Sequence, residues 1–223
     1  MSRYLTERVK TAKKRKPSST KWLQRQLNDD YVKEAKALGY RSRAAFKLIE
    51  IDDKYKILKK GQIVIDLGAA PGGWTQVAAE RIDSSSNKIR VFGLDILPIK
   101  PMDNAAFIQM DFMEDEADKA LIELVGSKVD VVLSDMAANT TGVHDIDHMR
   151  IMAMLEYAFA FAKDILKENG TFMAKIFQGG TEAALLAEMK NCFNKVIHVK
   201  PKASRADSSE FYVLATGFKD NAG

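Results

Sequence analysis

The stretch Ile63-Val64-Ile65-Asp66-Leu67-Gly68-Ala69-Ala70-Pro71-Gly72-Gly73-Trp74 constrains the fold most. Its apolar opening reads as a strand buried on both faces, as in a parallel sheet, and the Gly/Pro cluster ends that strand sharply. A helix over 73–82 follows. Strand, glycine-rich loop and helix in this order form a nucleotide-type site, where Gly68, Gly72 and Gly73 let backbone approach a bound molecule without a Cβ in the way. The loop is neither the dinucleotide fingerprint, whose second glycine would fall at Ala70, nor a phosphate loop, which ends in Gly-Lys-Ser/Thr. An acidic residue at its mouth, Asp66, suits a ligand with a cationic or hydroxylated part.

The remainder repeats the alternation. Strands are expected at 63–67, 90–95, 106–111, 129–135, 171–177, 195–199 and 210–216, with helices at 115–125, 147–168 (closed by Asn169-Gly170) and 181–192. This predicts an α/β, Rossmann-like domain with a mostly parallel seven-stranded sheet, helices on both faces and ligands at the carboxyl ends of strands. The last two strands lack an intervening helix and should pair antiparallel. Upstream, residues 1–20 read as a flexible basic arm and 21–60 as a helical extension. The extension has helical spacing from Lys21 to Leu38 and a second helix N-capped by Ser42; residues 61–219 form the domain and 220–223 a tail.

The net charge of +4 conceals a split, since residues 1–47 hold 14 Lys/Arg against 4 Asp/Glu and the rest 20 against 26. A basic arm on a mildly acidic body suits a polyanion, whose counterions are released on binding, although a solvated tail has the same composition. One cysteine, Cys192, rules out an internal disulfide framework and fits a reducing, cytoplasmic setting. No signal peptide or membrane span is expected: charges run through Met1 to Lys16, and Glu156 interrupts the apolar stretch 151–162. The basic, Ser/Thr-containing start leaves an organelle transit peptide open.

Further candidates sit at strand ends. Asp95, 27 residues after Gly68, is suited to accept from ribose hydroxyls, and Asp111 to face an adenine amino group. With Asp66-x-Gly68-x-x-Pro71-Gly72-Gly73 they resemble the first motif and cofactor-binding strand ends of methyltransferases that use S-adenosyl-L-methionine (SAM). After the fourth strand, Ser134-Asp135-Met136-Ala137-Ala138-Asn139 offers no aromatic residue to stack a flipped base, which favours a ribose oxygen over a base nitrogen as acceptor. Methylating a 2′-hydroxyl needs a base, and Lys175, in the apolar strand Phe172 to Phe177, could serve if desolvation lowers it from about 10.4 to about 7–8, at roughly 4 kcal/mol. A snorkelling strand-end lysine is the plain alternative. His144 and His148 lack the carboxylate of a metal-binding helix, so no metal is expected, and Cys192 reads as core.

Lys47 in Ser42-Arg-Ala-Ala-Phe-Lys47-Leu, Asp135, Lys175 in Ala-Lys175-Ile-Phe-Gln-Gly, and Glu210 in Ser204-Arg-Ala-Asp-Ser-Ser-Glu210 resemble the K-D-K-E tetrad of RrmJ/FtsJ-type RNA 2′-O-methyltransferases, over about residues 39–218. The resemblance implies cofactor contacts from Gly72, Trp74, Asp95 and Asp111, with Asp135 beside both sites. It implies that Lys175 is the base, that Asp135 and Glu210 position the lysines, and that Lys47 raises the local positive potential. The implied substrate is RNA: a uridine of large-subunit ribosomal RNA, free or in an assembled subunit. Transfer RNA, an mRNA cap, or a non-catalytic assembly role remain alternatives, and no oligomer is indicated. Ala138 departs from the family's usual proline and should loosen the loop slightly.

Overall fold

The computed structural model describes residues 8, 11, 17–85, 87–137, 144–177, 183–205 and 208–220. Three helices lead in: α1 (Pro17–Leu27), α2 (Asp30–Leu38) and α3 (Ala45–Tyr55). Seven strands follow, β1 (Val64–Leu67), β2 (Val91–Asp95), β3 (Ala106–Gln109), β4 (Val129–Ser134), β5 (Leu166–Phe177), β6 (Phe193–Val199) and β7 (Glu210–Phe218). Between them run α4 (Gly73–Ile82), α5 (Ala117–Val125), α6 (His144–Ile165) and α7 (Ala183–Cys192).

The strands form one sheet in the order β3-β2-β1-β4-β5-β7-β6. All neighbours are parallel except β7, which runs antiparallel to both β5 and β6. The unbroken apolar runs follow from burial on both faces: Ile65 and Leu67 join a core with α5, α6 and α7, whereas Val64 joins one with α3 and α4. The chain leaves β1 toward β2 and β3 on one side and returns through β4 on the other, so strand order reverses between β1 and β4. A crevice opens at such a switch point, outside the carboxyl ends of the strands.

Several expected boundaries move. α1 begins at Pro17, inside the stretch read as an arm, because proline suits a first helical turn whose N–H has no helical partner. The 21–38 pattern is two helices, split where the Asp29 side chain caps α2 by accepting from Tyr31 N at 3.1 Å. Ser42 does not cap α3; Ala44 holds that position without a side-chain bond. α3 shares its core with β1 and α4. Asn169 (φ 62) and Gly170 lie within β5 beside a register shift against β4 rather than closing α6. β3 stops at Gln109, leaving Asp111 in the following turn. Among the described residues no helix is long and apolar enough to cross a membrane.

Candidate active site

In an antiparallel pair, directly opposed residues share a face, and Lys175 on β5 opposes Tyr212 on β7. Glu210 lies two residues before Tyr212, so it shares that face. Asp135 enters from the end of β4, tied back by its backbone N–H to Leu67 O at 3.1 Å, and Lys47 enters from α3. Lys175 Nζ donates to Asp135 O at 2.6 Å and Oδ1 at 2.9 Å. Lys47 Nζ donates to Glu210 Oε1 at 2.5 Å and to Tyr212 Oη at 3.0 Å. The four tetrad residues thus converge as two lysine–carboxylate pairs.

The hydroxyl of Tyr212 joins the pairs, lying 2.8 Å from Asp135 Oδ1 and 2.9 Å from Glu210 Oε1. It has one proton for two acceptors, so only one of those bonds can be donated at a time. Tyr212 is fully buried, and the sequence reading missed it; its place two residues after Glu210 in a strand was the available signal. Burial first, then the Asp135 and Glu210 carboxylates, push the phenol well above its ordinary value. Burial pushes the Asp135 carboxyl up, but Lys175, Lys47 and the bonds from Lys175 and Tyr212 together hold it below the usual carboxylate range.

Beyond Lys47 a cavity is lined by Gln26, Arg43, Ala44, Lys47, Arg205, Ser208 and Glu210. Arg43 bonds Asp29 Oδ2 at 2.5 Å and the carbonyl of Ala203, while Arg205 lies 3.6 Å from the same Asp29 oxygen. Both arginine Nε atoms are buried without a partner among the described residues. Two guanidiniums sharing one carboxylate leave positive charge and unused donors, which suits an anion such as phosphate.

Next to Asp135 in the chain, Met136 and Ala137 join Gly68, Leu94, Asp95, Ile96, Asp111, Phe112, Met113 and Met154 in lining a second pocket. Gly68 (φ 75) is held there by space as well as conformation, since a Cβ would come within 2.9 Å of Met136 backbone. Two carboxylates in a pocket otherwise lined by thioether, phenyl and aliphatic groups fit a nucleoside: the acids accept from hydroxyl and amino groups, and the apolar wall takes the ring. Asp95 also braces the loop, accepting from Ala70 N and Leu97 N, each at 2.8 Å; Asp111 Oδ1 accepts from Met113 N at 3.0 Å.

The other expected cofactor residues lie elsewhere. Gly72 and Gly73 make room for the chain's own segment 41–42: a Cβ on Gly73 would come within 2.2 Å of Ser42 Oγ, and one on Gly72 within 2.9 Å of Arg41 Cδ. Trp74 is buried, its indole donating to Ala44 O at 2.8 Å and its ring 5.5 Å from that of Tyr212, so its side chain walls the tetrad and only its backbone is left for a cofactor. Asp66 is fully buried under the loop, taking a 2.6 Å bond from Thr75 Oγ1 while its Oδ1 has no partner among the described residues. Burial, opposed by the Thr75 bond and reinforced by Asp135 and Asp95, raises its pKa to about 7. Ala138, Asn139 and the His144 side chain lie outside the described residues. Among those residues no group of three or more His, Cys, Asp or Glu could hold a metal.

The profile of the family described as FtsJ-like methyltransferase matches residues 40–218. The protein of Bradyrhizobium diazoefficiens named ribosomal RNA large subunit methyltransferase E is 57% identical over 214 residues, 96% of this chain and 94% of that protein. Its namesake in Paramagnetospirillum magneticum is 56% identical over 223 residues, 99% of this chain and 91% of that protein. A Plasmodium falciparum crystal structure assigned as a ribosomal RNA methyltransferase superposes with a TM-score of 0.70 at 34% identity, covering 80% of this chain and 98% of that one.

Proposed function

Because the chain belongs to the FtsJ-like methyltransferase family, we propose that it methylates a ribose 2′-hydroxyl of large-subunit ribosomal RNA with SAM as donor. The observation that carries this reading is the passage from Asp135, in the lysine–carboxylate cluster, to Met136, in the nucleoside pocket, within one peptide unit. A methyl donor and an acceptor hydroxyl held at these two places would be neighbours.

Gly68, Asp95 and Asp111 would hold the adenosine part. When bound, SAM would supply a methyl group on a sulfonium. Lys175 handles the proton in this proposal. As a neutral amine it has two N–H groups and one lone pair; the two N–H groups match its bonds to Asp135 O and Oδ1, and the lone pair is left to take the 2′-hydroxyl proton. Asp135 orients that amine and then faces the resulting ammonium. Lys47 touches Glu210 and Tyr212, so its hydrogen-bonded link to Lys175 runs across the Tyr212 hydroxyl and Asp135, and it borders the cavity suited to phosphate. Met136 and Ala137 follow Asp135, and neither can stack an extruded base, which favours a ribose acceptor.

Incubating the protein with SAM and large ribosomal subunits, then mapping ribose methylation by resistance to alkaline cleavage, tests the proposal. One new resistant position that requires Lys175 is expected. Methylation confined to a base nitrogen would overturn the assignment.

A further inference from the structure

The face of α3 that carries Lys47 continues, at helical spacing, through Glu50, Ile51 and Lys54. Opposite it, the segment after β6 runs from Val199 through Lys202 to Arg205, whose side chain lines the cavity beside Lys47. These two walls enclose a groove of about 530 Å³ with an apolar floor including Ile51, Tyr55 and Pro201 and a rim of Lys54, Lys200 and Lys202. That volume lies within the ~300–1,000 Å³ of small-ligand sites.

The acids here are already engaged. Glu50 accepts from Lys202 N at 2.6 Å and from Ala203 N at 3.1 Å, and Asp53 pairs with Arg81 at 2.8 Å. Lys54, Lys200 and Lys202 are all exposed, and Lys54 Nζ sits 5.1 Å from the centre of the Tyr55 ring. A half-buried aromatic ring flanked by exposed lysines is the pairing that binds single-stranded nucleic acid: ring for base, ammonium for phosphate.

We propose that this groove is a second RNA subsite that stacks a base of the substrate strand on Tyr55, with Lys54 and Lys202 on its phosphates. The idea rests on the RNA reading above. Seven helical residues separate Lys47 from Lys54, about 10 Å along the axis. The subsite therefore takes a nucleotide a few positions from the one at the cavity beside Lys47.

The test uses the full chain and a large-subunit RNA fragment containing the mapped nucleotide, with 4-thiouridine placed two to four positions to either side. Irradiation should crosslink the peptide containing Tyr55. Tyr55→Ala should weaken RNA binding about tenfold, within the range for one stacked base, whereas Tyr55→Phe should match wild type and SAM affinity should not move. In case Tyr55→Ala misfolds, Lys54→Gln with Lys202→Gln alters only exposed side chains and should flatten the log–log salt slope by about 1.4. Crosslinks confined to other peptides, or unchanged RNA affinity in Tyr55→Ala, would overturn the subsite, as would occupation of the groove by a ribosomal protein in place of RNA. Methylation at a base instead of ribose would sink the function while leaving these binding readouts intact.

Discussion

Lys175 and Tyr212 face each other across the β5–β7 pair, and their polar ends meet on one atom, Asp135 Oδ1, at 2.9 and 2.8 Å. A single carboxylate oxygen thus fixes the amine proposed as base and the hydroxyl that leads to Glu210 and Lys47. Moving any of these groups moves the others, because all are buried or nearly so and water cannot replace a lost partner cheaply.

Tyr212→Phe removes the hub and leaves its packing. Asp135 and Glu210 each lose a possible donor, which should lower unfolding free energy by roughly 1–3 kcal/mol at neutral pH in chemical denaturation. The methyl-transfer rate should fall less than in Lys175→Ala, since the phenol is positioned to hold groups and not to accept a proton. Unchanged stability would remove Tyr212 from the network.

Lys175→Ala should keep the fold and SAM affinity but lose on the order of 10² to 10⁴ in single-turnover rate at saturating SAM. Lys175→Arg should be equally inactive, because arginine keeps the charge yet is not deprotonated in a protein. An active arginine variant would reduce Lys175 to a positioning role.

The sheet, its parallel run and its antiparallel end were legible because strand and helix periods alternate cleanly after Gly61. The two lysines and two carboxylates were also legible, since each sits in a short recognisable string. What escaped was anything set by long-range packing. Gly72 and Gly73 were read as clearance for a ligand, yet the neighbour they admit is Arg41-Ser42, about thirty residues upstream. Trp74 turned inward because Ala44 O, at the start of α3, offers its indole a partner. Tyr212 sits in a strand whose string marks only Glu210, and what distinguishes it is the convergence of Lys47, Asp135 and Glu210 on its hydroxyl.

Asp66 gives a pH signature. Its folded pKa of about 7 lies above the ordinary 3.8, so the folded protein binds that proton more tightly. The resulting stabilisation is fully present below about pH 4 and is lost as pH rises through 7, roughly 4 kcal/mol in all. Asp66→Asn keeps a neutral side chain and should flatten the unfolding free energy between pH 4 and 7 relative to wild type; parallel profiles would refute the shift.

For the cofactor, calorimetry should find SAM and its demethylated product binding while NAD does not; tighter NAD binding would sink the assignment. Asp95→Ala should cost roughly 1–3 kcal/mol of SAM affinity. Part of that loss should come from the loop, because Asp95 also holds Ala70 N and Leu97 N. Asp95→Asn separates the two contributions. The amide keeps one carbonyl acceptor for a backbone N–H but loses the charge, so an intermediate loss is expected, and SAM affinity equal to wild type in both variants would remove Asp95 from the site.

The basic N-terminal segment is the last expectation to test, and α1 sets where to cut. Since that helix starts at Pro17, deletion of residues 2–16 removes Arg3, Arg8, Lys10, Lys13, Lys14, Arg15 and Lys16 without entering it. If those side chains meet RNA phosphates, each neutralised phosphate contributes about 0.7 to the log–log salt slope for a single strand, so the deletion should flatten the slope by up to about 5. The cavity beside Lys47 and the nucleoside pocket are both built from residues after 25, so SAM affinity should be unchanged and the single-turnover rate at saturating RNA nearly so. Loss should appear as weaker RNA binding at physiological salt that recovers at low salt. A deletion that leaves RNA affinity and its salt dependence intact would identify the segment as a solvated tail.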